Sequence, residues 1–250
     1  MPTYSYSKIS SFEQCPLKFK YKYIDKVEIK EKNIELFLGN MVHETLEWLY
    51  LKVREGQTPT IEETIKYYCD NWENKFDDSL IITKQQYNFE YYFNLGVKFI
   101  IDYYIKHQPF DDNTIALEKK ILIDLDELKN YQLIGFIDRL VYNKEKDEYE
   151  IHDYKTANSL PLKEKIESDR QLALYSIAIK NEFNAKKVHL FWHYLAFNKT
   201  IYTIKTDEEL IKLKKDVLEL IKKIESTQEY APNQSVLCNW CEFKNICEKR

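Results

Sequence analysis

Apolar positions recur with a helical period in the first part of the chain and with strand-like patterns in the second. Residues 36–53 carry apolar side chains at helical spacing, and helical patterns continue through 61–76 and 84–106. After Pro109 the pattern predicts strands at 114–125, 134–142, 149–156, 187–196 and 200–205, and helices at 162–181 and 207–225. This order predicts a mixed α/β fold in which a helical region precedes a small sheet flanked by helices.

Two of the predicted strands, joined by a charged turn at 143–148, bring three polar side chains together. Asp153 and Lys155 are two residues apart, so they point to the same face of their strand. Hairpin pairing then puts Asp138 opposite residues 153 to 155. With the carbonyl of Tyr154, the two carboxylates offer the oxygen ligands that Mg²⁺ or Mn²⁺ prefers. This predicts a metal site for phosphodiester chemistry, in which the lysine orients water or supports negative charge. The alternative is an ordinary hairpin with a cross-strand salt bridge.

Four further residues are candidates for the same site. His43 lies beside the apolar stripe of the first long helix, and Glu118 is embedded in the first predicted strand. Gln171 and Tyr175 are four residues apart on a predicted helix, so one face carries both. Each of these residue types also occurs without a function, and a lone helical histidine is more often a half-buried structural residue. Their spacing alone therefore assigns no role.

A basic, aromatic segment follows a short predicted helix that ends at Gln14. Lysines alternate with aromatic residues over 18–23, which suits a phosphate backbone with stacked bases. Lys18, Lys20 and Tyr21 are the candidates for such contacts. An amphipathic helix with lysines on its outer face is the alternative.

Composition limits the class of protein. The chain has 250 residues, 44% hydrophobic and 31% charged, with four glycines and six prolines, which leaves little room for a disordered linker. It has no apolar run of about eighteen residues and no apolar signal-like N-terminus, so we expect a cytoplasmic (intracellular) protein without membrane contact. The net charge of −4 does not suggest a generic polyanion binder, but a local basic patch is compatible with it.

Three cysteines close to the C-terminus have a spacing typical of a metal site. Cys238, Cys241 and Cys247 follow the pattern C-x2-C-x5-C, and Cys15 offers a fourth thiolate more readily than Cys69, which we expect to be a core residue. In an intracellular protein such thiols indicate metal binding rather than disulfides. Zinc and an iron–sulfur cluster both accept four thiolates. The second C-x2-C of a zinc ribbon is missing, which favours the cluster.

Taken in order, these motifs resemble a RecB-like nuclease of the PD-(D/E)XK superfamily, in its iron–sulfur branch. That branch includes CRISPR-associated exonucleases and the nuclease domain of AddB-type helicase–nucleases. The resemblance covers nearly the whole chain, through YSYSKISSFEQCP, GNMVHETLE, Glu118, GFIDRL, HDYKT, QLALY and the cysteine triad. It implies a restriction-endonuclease-like core within one domain, 1–250. We expect a helical region at about 28–110, a catalytic core at about 111–230, and an iron–sulfur segment at 231–250 together with Cys15.

The resemblance implies roles for the candidate catalytic residues. Asp138 and Asp153 match the two metal-binding acids, and Lys155 matches the catalytic lysine. His43 is similar to a helix histidine that joins the metal ligands. Ile137 stands where the superfamily name has proline, and since proline is not a ligand, this departure casts little doubt on activity.

It also implies roles for residues outside the hairpin. Gln171 and Tyr175 match a QxxxY element, which supports the lysine and contacts DNA near the cut. Glu118 resembles an acid often found on the first sheet strand. The four thiolates that match the ligands of a 4Fe-4S cluster, with structural Zn²⁺ as the alternative, are Cys15, Cys238, Cys241 and Cys247.

The function implied is a Mg²⁺- or Mn²⁺-dependent deoxyribonuclease. We expect a single-strand DNA exonuclease acting in DNA repair, recombination or CRISPR adaptation, with a helicase or integrase-like protein as a partner. The alternative function is a DNA-binding assembly module for such a partner, with little or no cleavage of its own.

Overall fold

A mixed sheet forms the centre of the fold. The computed structural model describes residues 3–162, 166 and 168–247. The strands in these ranges are β1 (Thr3–Ser5), β2 (Lys32–Asn33), β3 (Leu80–Ile81), β4 (Thr114–Asp124), β5 (Gln132–Asn143), β6 (Glu148–Lys155), β7 (Val188–Tyr194) and β8 (Lys199–Ile204). All but β2 and β3 belong to the central sheet, and those two pair with each other. Strand β5 pairs antiparallel with β4 and β6, β6 pairs parallel with β7, and β7 pairs antiparallel with β8.

Polar side chains cap the first turns of most of the longer helices. The helices are α1 (Tyr6–Gln14), α2 (Pro16–Phe19), a π-helical turn (Lys20–Ile24), α3 (Ile34–Arg54), α4 (Ile61–Lys75), α5 (Phe89–His107), α6 (Gln171–Phe183) and α7 (Asp207–Ser226). Thr60 and Thr206 each form a capping box at the start of α4 and α7. The helix predicted from residue 84 begins instead at Phe89, because the side chain of Asn88 accepts from a backbone N–H of its first turn.

Other predicted boundaries agree with the structure to within a few residues, with one exception. The helix predicted at 162–181 is interrupted, because residues 168–170 are not helical, and α6 runs from Gln171 to Phe183. Residues 163–165 and 167 lie outside the described residues. The strand β1 has no counterpart in the prediction. It pairs parallel with the first residues of β5 and joins the chain start to the sheet.

Helices cover both faces of the sheet. On one face, α6 and α7 pack on residues such as Leu133 and Leu190, together with Ile9 of α1. On the other face, α3, α4 and α5 build a second apolar core that includes Leu46 and Tyr154. The sheet therefore lies between two helical layers, and the hairpin β5–β6 contributes side chains to both.

The hairpin register agrees with the sequence prediction. Arg139 pairs with His152, which brings Asp138 opposite Asp153 on the neighbouring strand. The backbone amide of Tyr154 donates to Asp138 Oδ2 at 2.9 Å, so this acid meets the second strand where it was expected.

Strand β4 changes faces at Glu118. Leu117 packs with the α3–α5 layer, whereas Lys119 pairs with Glu182 of α6 on the opposite layer. Residues two apart in a regular strand share a face. The strand changes from one face to the other at Glu118, whose φ of 43° lies in the left-handed region. This local distortion turns Glu118 toward the strand position of Asp138, in the pocket described next.

Candidate active site

A polar pocket opens between α3 and the strands β4, β5 and β6. Its volume is about 580 Å³. The candidate catalytic side chains that line it are His43, Glu118, Asp138, Asp153, Lys155 and Gln171, together with the backbone of Tyr154. Tyr175 contacts the same group from α6 through Gln171. The sequence-predicted residues of the hairpin, the first long helix, the first sheet strand and α6 thus meet at one place.

His43 faces both the carbonyl of Tyr154 and the carboxylate of Asp138. His43 Nε2 lies 2.8 Å from the carbonyl oxygen of Tyr154. Because a carbonyl oxygen only accepts, Nε2 carries a hydrogen, and Nδ1 is the ring nitrogen left to face Asp138. That Nδ1 lies 3.4 Å from Asp138 Oδ2. Ligand atoms of His43, Glu118 and Asp138 all lie within 4.8 Å of one another, so they could hold one cation between them.

The second acid is paired with the lysine. Asp153 is 4% exposed, and Lys155 Nζ donates to its Oδ1 at 3.0 Å and lies 2.7 Å from its Oδ2. The ammonium approaches Oδ2 without hydrogen-bond geometry. This oxygen is buried, and within the described residues it accepts no hydrogen bond. An oxygen that has an ammonium beside it but accepts no hydrogen bond can still serve as a metal ligand. Lys155 Nζ also donates to Gln171 Oε1 at 3.2 Å.

Burial and neighbouring charges shift the pKa values of the acidic and basic side chains in the pocket. Burial, and then the neighbouring Asp153, raise the pKa of Asp138 to about 7. Burial, and then Glu47, raise the pKa of Glu118 above its ordinary value. Burial alone would lower the pKa of Lys155, but the charge of Asp153 outweighs it and the pKa rises above its usual range. The pocket therefore holds more negative charge than Lys155 compensates, which is the electrostatic setting that attracts a divalent cation.

Helix α6 also supports the lysine. Gln171 Nε2 donates to the hydroxyl of Tyr175 at 3.5 Å, so a chain of contacts runs from Tyr175 through Gln171 to Lys155. Gly135 of β5 makes room for this ring, because a Cβ there would lie 2.3 Å from Tyr175 Cε1. The side chain of Asp169, which the sequence prediction missed, accepts a hydrogen bond from the backbone N–H of Gln171 at 2.9 Å. An acid two residues before a helix start is the signal that could have identified it.

A buried polar network lies beside the pocket, where the hairpin packs on the α3–α5 layer. Arg139 is 1% exposed, donates to the hydroxyl of Tyr154 at 3.1 Å, pairs with Asp112 and approaches His152 Nδ1 at 3.0 Å. Its guanidinium also lies 4.1 Å from the ring centre of Tyr50. Adjacent residues of the same strands thus serve the pocket and this network. Sequence reasoning missed Arg139, since an arginine beside an acid carries no distinctive spacing.

The four predicted cysteine ligands line one cavity. The cavity has a volume of about 210 Å³, and Cys15 reaches it from the loop between α1 and α2. Its other thiols are Cys238, Cys241 and Cys247. In the described part of the chain, no three cysteine sulfurs are as close together as the ligand atoms of His43, Glu118 and Asp138. Cys69 lies apart, packed against the α3–α5 layer.

The basic segment is divided between two surfaces. Lys18 lines a long groove beside the pocket as well as the cysteine cavity. Lys20 forms an ion pair with Asp25. The ring of Tyr21 packs on Phe243 and lines the cysteine cavity. The structure brings Lys18 to the groove, while Lys20 and Tyr21 are not among its lining residues.

Comparison with known proteins identifies the family. A sequence model of the PD-(D/E)XK nuclease superfamily matches residues 3–248. No curated protein matches the chain by sequence. A crystal structure from Eubacterium rectale, of a protein whose exonuclease name is provisional, is 14% identical with a TM-score of 0.51, and the match covers 98% of this chain and 93% of that one. The crystal structure of SSO0001 is also 14% identical, with a TM-score of 0.42. The match covers 98% of this chain and 85% of that one.

The helices give no sign of a membrane span. Among the described residues, none of them combines the length and the apolar character that crossing a bilayer requires.

Proposed function

The chain belongs to the PD-(D/E)XK nuclease superfamily, and we propose that it is a Mg²⁺- or Mn²⁺-dependent deoxyribonuclease with Asp138, Asp153 and Lys155 as its catalytic residues. The observation that carries this proposal is the meeting of the two acids and the lysine in one pocket, where Asp153 Oδ2 is buried without a hydrogen bond. The lysine lies close to both oxygens of Asp153 but donates a hydrogen bond to Oδ1, so Oδ2 can accept a further ligand.

The side chains present fit a hard divalent cation. Asp138 and Asp153 supply carboxylate oxygens, the carbonyl of Tyr154 supplies a third oxygen, and His43 Nδ1 faces the same space. When bound, the cation supplies positive charge that stabilises the negative charge developing on the phosphate. Glu118 is a further candidate ligand, because its carboxylate lies within 4.8 Å of the ligand atoms of His43 and Asp138.

Lys155 acts as a fixed positive charge and hydrogen-bond donor. Asp153 and Gln171 both accept from its ammonium, which fixes the direction of the side chain. The raised pKa keeps this group protonated, so it suits the stabilisation of negative charge or the orientation of water rather than proton abstraction. Gln171 and Tyr175 position the lysine from α6, and their place beside the pocket suits contact with the DNA near the cut.

The direct test is cleavage of end-labelled DNA with Mg²⁺, Mn²⁺ or EDTA. Lys155→Ala should slow cleavage by about 10²- to 10³-fold, the loss typical of removing one charge-stabilising donor. Asp138→Asn should abolish metal-dependent cleavage while leaving the fold intact. Lys119→Ala is a matched control, because this lysine of the neighbouring strand is paired with Glu182 outside the pocket.

Two results would contradict the proposal. Cleavage by Lys155→Ala and Asp138→Asn at the parental rate would mean that the active site is elsewhere. Tight DNA binding without product in any metal would instead favour the assembly-module function.

The proposal includes a 4Fe-4S cluster held by four cysteines. Support comes from the single cavity that they line, which Cys15 reaches from the loop between α1 and α2. The sequence lacks the second C-x2-C of a zinc ribbon, which favours the cluster over zinc.

Anaerobic purification tests the cluster. We expect a brown protein with absorption near about 400 nm and stoichiometric iron and acid-labile sulfide. Cys238→Ser should lose both signals, and Cys69→Ser, which alters a thiol in the apolar core, should retain them. Stoichiometric zinc in a colourless protein would refute the cluster.

The finer parts of the proposal come from the resemblance to the iron–sulfur branch of RecB-like nucleases. They are a single domain over 1–250, exonuclease action on single-stranded DNA, and a role in DNA repair, recombination or CRISPR adaptation beside a helicase or integrase-like partner. The provisional exonuclease name of the Eubacterium rectale protein is consistent with the mode of cleavage. DNA labelled at one end and then at the other distinguishes progressive shortening from internal cuts and gives the polarity.

A further inference from the structure

A long groove joins the candidate active site to the cysteine cavity. It has a volume of about 950 Å³, and we call it the lysine groove. At one end it shares Glu35, Leu36 and Lys155 with the active-site pocket. At the other end it shares Lys18 and Trp240 with the cysteine cavity. A ligand lying in the groove would therefore extend from the reacting groups to the C-terminal segment.

The groove has a charge opposite to that of the whole protein. Five lysines and three glutamates line it, although the chain has a net charge of −4. The lysines are Lys18, Lys22, Lys32, Lys84 and Lys155. They come from four separate parts of the chain, so the concentration of positive charge is produced by the fold. A row of ammonium groups along a groove is the arrangement that follows a phosphate backbone.

Two of these lysines are held by exposed ion pairs that a phosphate can replace. Lys22 pairs with Glu242 at 2.9 Å, and Lys32 pairs with Asp77 at 2.8 Å. All four side chains are at least one-third exposed, so the pairs are weak and screened by salt. Exchanging a carboxylate partner for a phosphate therefore costs little.

Apolar side chains stand exposed at the two ends of the groove. Trp240 is 46% exposed at the cysteine end, and Leu36 is 66% exposed at the active-site end. An indole face stacks on a nucleic-acid base only when the base has left its own stack. In a duplex both faces of each base are covered by neighbouring pairs. The exposed tryptophan therefore selects an unpaired strand.

We infer that the lysine groove binds a single-stranded polynucleotide, with Trp240 stacked on a base and the lysines on successive phosphates. The strand then leads past Leu36 to Asp138, Asp153 and Lys155. This inference rests on the proposed nuclease function for the fate of the strand, but the binding itself requires no cleavage.

Binding is measured in EDTA, so the strand remains intact. The probes are fluorescein-labelled oligothymidylate and oligouridylate of about 15 nucleotides and a blunt duplex of the same length. Fluorescence anisotropy of the full-length protein gives Kd over a range of salt concentrations. We expect the single strands to bind more tightly than the duplex. Comparing the Kd of oligothymidylate with that of oligouridylate shows whether the groove distinguishes DNA from RNA.

Two variants test the two parts of the groove. Trp240→Ala should weaken single-strand binding by about 5- to 150-fold, the loss expected from one base–aromatic stack, and Trp240→Phe should restore most of it. The double variant Lys32→Ala with Lys84→Ala should reduce the slope of log Kd against log salt by about 0.7 for each lysine. These lysines lie outside the cysteine segment, so this variant remains informative if Trp240→Ala disturbs the C-terminal segment.

Matched controls lie on distant surfaces. Tyr202→Ala removes a 64% exposed ring on the edge strand β8, and Lys66→Ala with Lys212→Ala removes two lysines that pair with aspartates on α4 and α7. Both controls should bind as the parent does. Equal affinity for duplex and single strand, or parental Kd and salt slope in both groove variants, would overturn the inference.

The same variants separate this inference from the nuclease proposal. If the groove variants lose binding but no metal supports cleavage by the parent, the groove is a strand-binding site and the nuclease proposal fails. If the parent cleaves DNA and the groove variants cleave with unchanged KM, the nuclease proposal stands and the groove inference fails.

Discussion

Replacing Gly135 by alanine should displace Tyr175 and, through it, the catalytic lysine. A Cβ at this position would lie 2.3 Å from Tyr175 Cε1 and 2.5 Å from its Cζ. Carbon atoms in contact are about 3.5–4.0 Å apart, so the ring or the strand must move by roughly 1 Å. Tyr175 is only 5% exposed and cannot turn into solvent. The movement therefore passes to Gln171, which accepts from Lys155.

The expected loss of stability is moderate and the expected loss of activity is larger. Overpacking a buried site costs about 1–3 kcal/mol in the free energy of unfolding. Alanine recovers about 0.5–1 kcal/mol of that through its smaller conformational entropy in the unfolded chain. A displacement of about 1 Å at a positioning group can lower the rate about 100-fold. We expect this loss in kcat, because Gln171 fixes the direction of the Lys155 ammonium.

Urea unfolding and single-turnover DNA cleavage measure the two effects. Gly96→Ala is the matched control, because a Cβ there would lie 2.1 Å from the hydroxyl oxygen of Tyr68, in the α3–α5 layer. This variant should lose comparable stability but retain the kcat of its folded fraction. The difference between the two glycine variants isolates the contact with Tyr175.

A double-mutant cycle can refute the reasoning. Tyr175→Ala removes the ring that the new methyl group meets, so Gly135→Ala should cost almost no stability in that background. A Gly135→Ala penalty that persists there would mean that the strand itself rejects the methyl group. Parental stability of Gly135→Ala would mean that the close approach of the ring is wrong.

Three further predictions concern the surroundings of the pocket. Arg139→Met should lower the free energy of unfolding by about 1–3 kcal/mol, because it leaves the buried Tyr154 hydroxyl and His152 Nδ1 without this donor; a urea midpoint equal to the parent's would contradict this. Glu118→Gly should be more stable than Glu118→Ala in metal-free thermal unfolding, reversing by about 1 kcal/mol the usual order in strands, because φ is 43°. Burial, and then Arg139, lower the pKa of His107 to about 4. Its stabilising contribution is therefore present above the unfolded pKa of about 6.5 and is lost as the pH falls toward about 4. Urea unfolding of His107→Phe should show a weaker loss over this range than the parent, with both measured in the Asp138→Asn background to remove the opposite trend of that acid; equal pH profiles would refute it.

The hairpin could be predicted from the sequence because its information is local. A charged turn between two apolar runs sets the pairing, and alternation sets the faces, so Asp138, Asp153 and Lys155 could be brought together without the structure. The confirmed register, with Arg139 opposite His152, depends only on residues within one hairpin. The cysteine pattern is local as well, although its closure by Cys15 depends on the whole chain.

What could not be predicted depends on distant parts of the chain. The three residues of β1 have no periodicity of their own, and they become a strand only because the start of β5 has a free edge. The left-handed backbone at Glu118 has no sequence signal, since glutamate rarely adopts it. The lysine groove is assembled from segments as distant as Lys18 and Lys84, so the negative net charge of the chain conceals it. Lys20 and Tyr21 looked equivalent to Lys18, but only the fold decides which surface each side chain reaches.

The two faces of the hairpin explain why an active site of this kind tolerates a pocket crowded with acids. Asp138 and Asp153 face the pocket, while their neighbours Arg139 and Tyr154 face the α3–α5 layer and bond to each other at 3.1 Å. Neighbouring residues of a strand share a backbone, so fixing Arg139 and Tyr154 in the buried network also fixes the two carboxylates and the Tyr154 carbonyl that His43 contacts. Repulsion between the acids would otherwise separate the strands when the cation is absent. The buried contacts of Arg139 therefore oppose the repulsion between Asp138 and Asp153 and hold the two strands together.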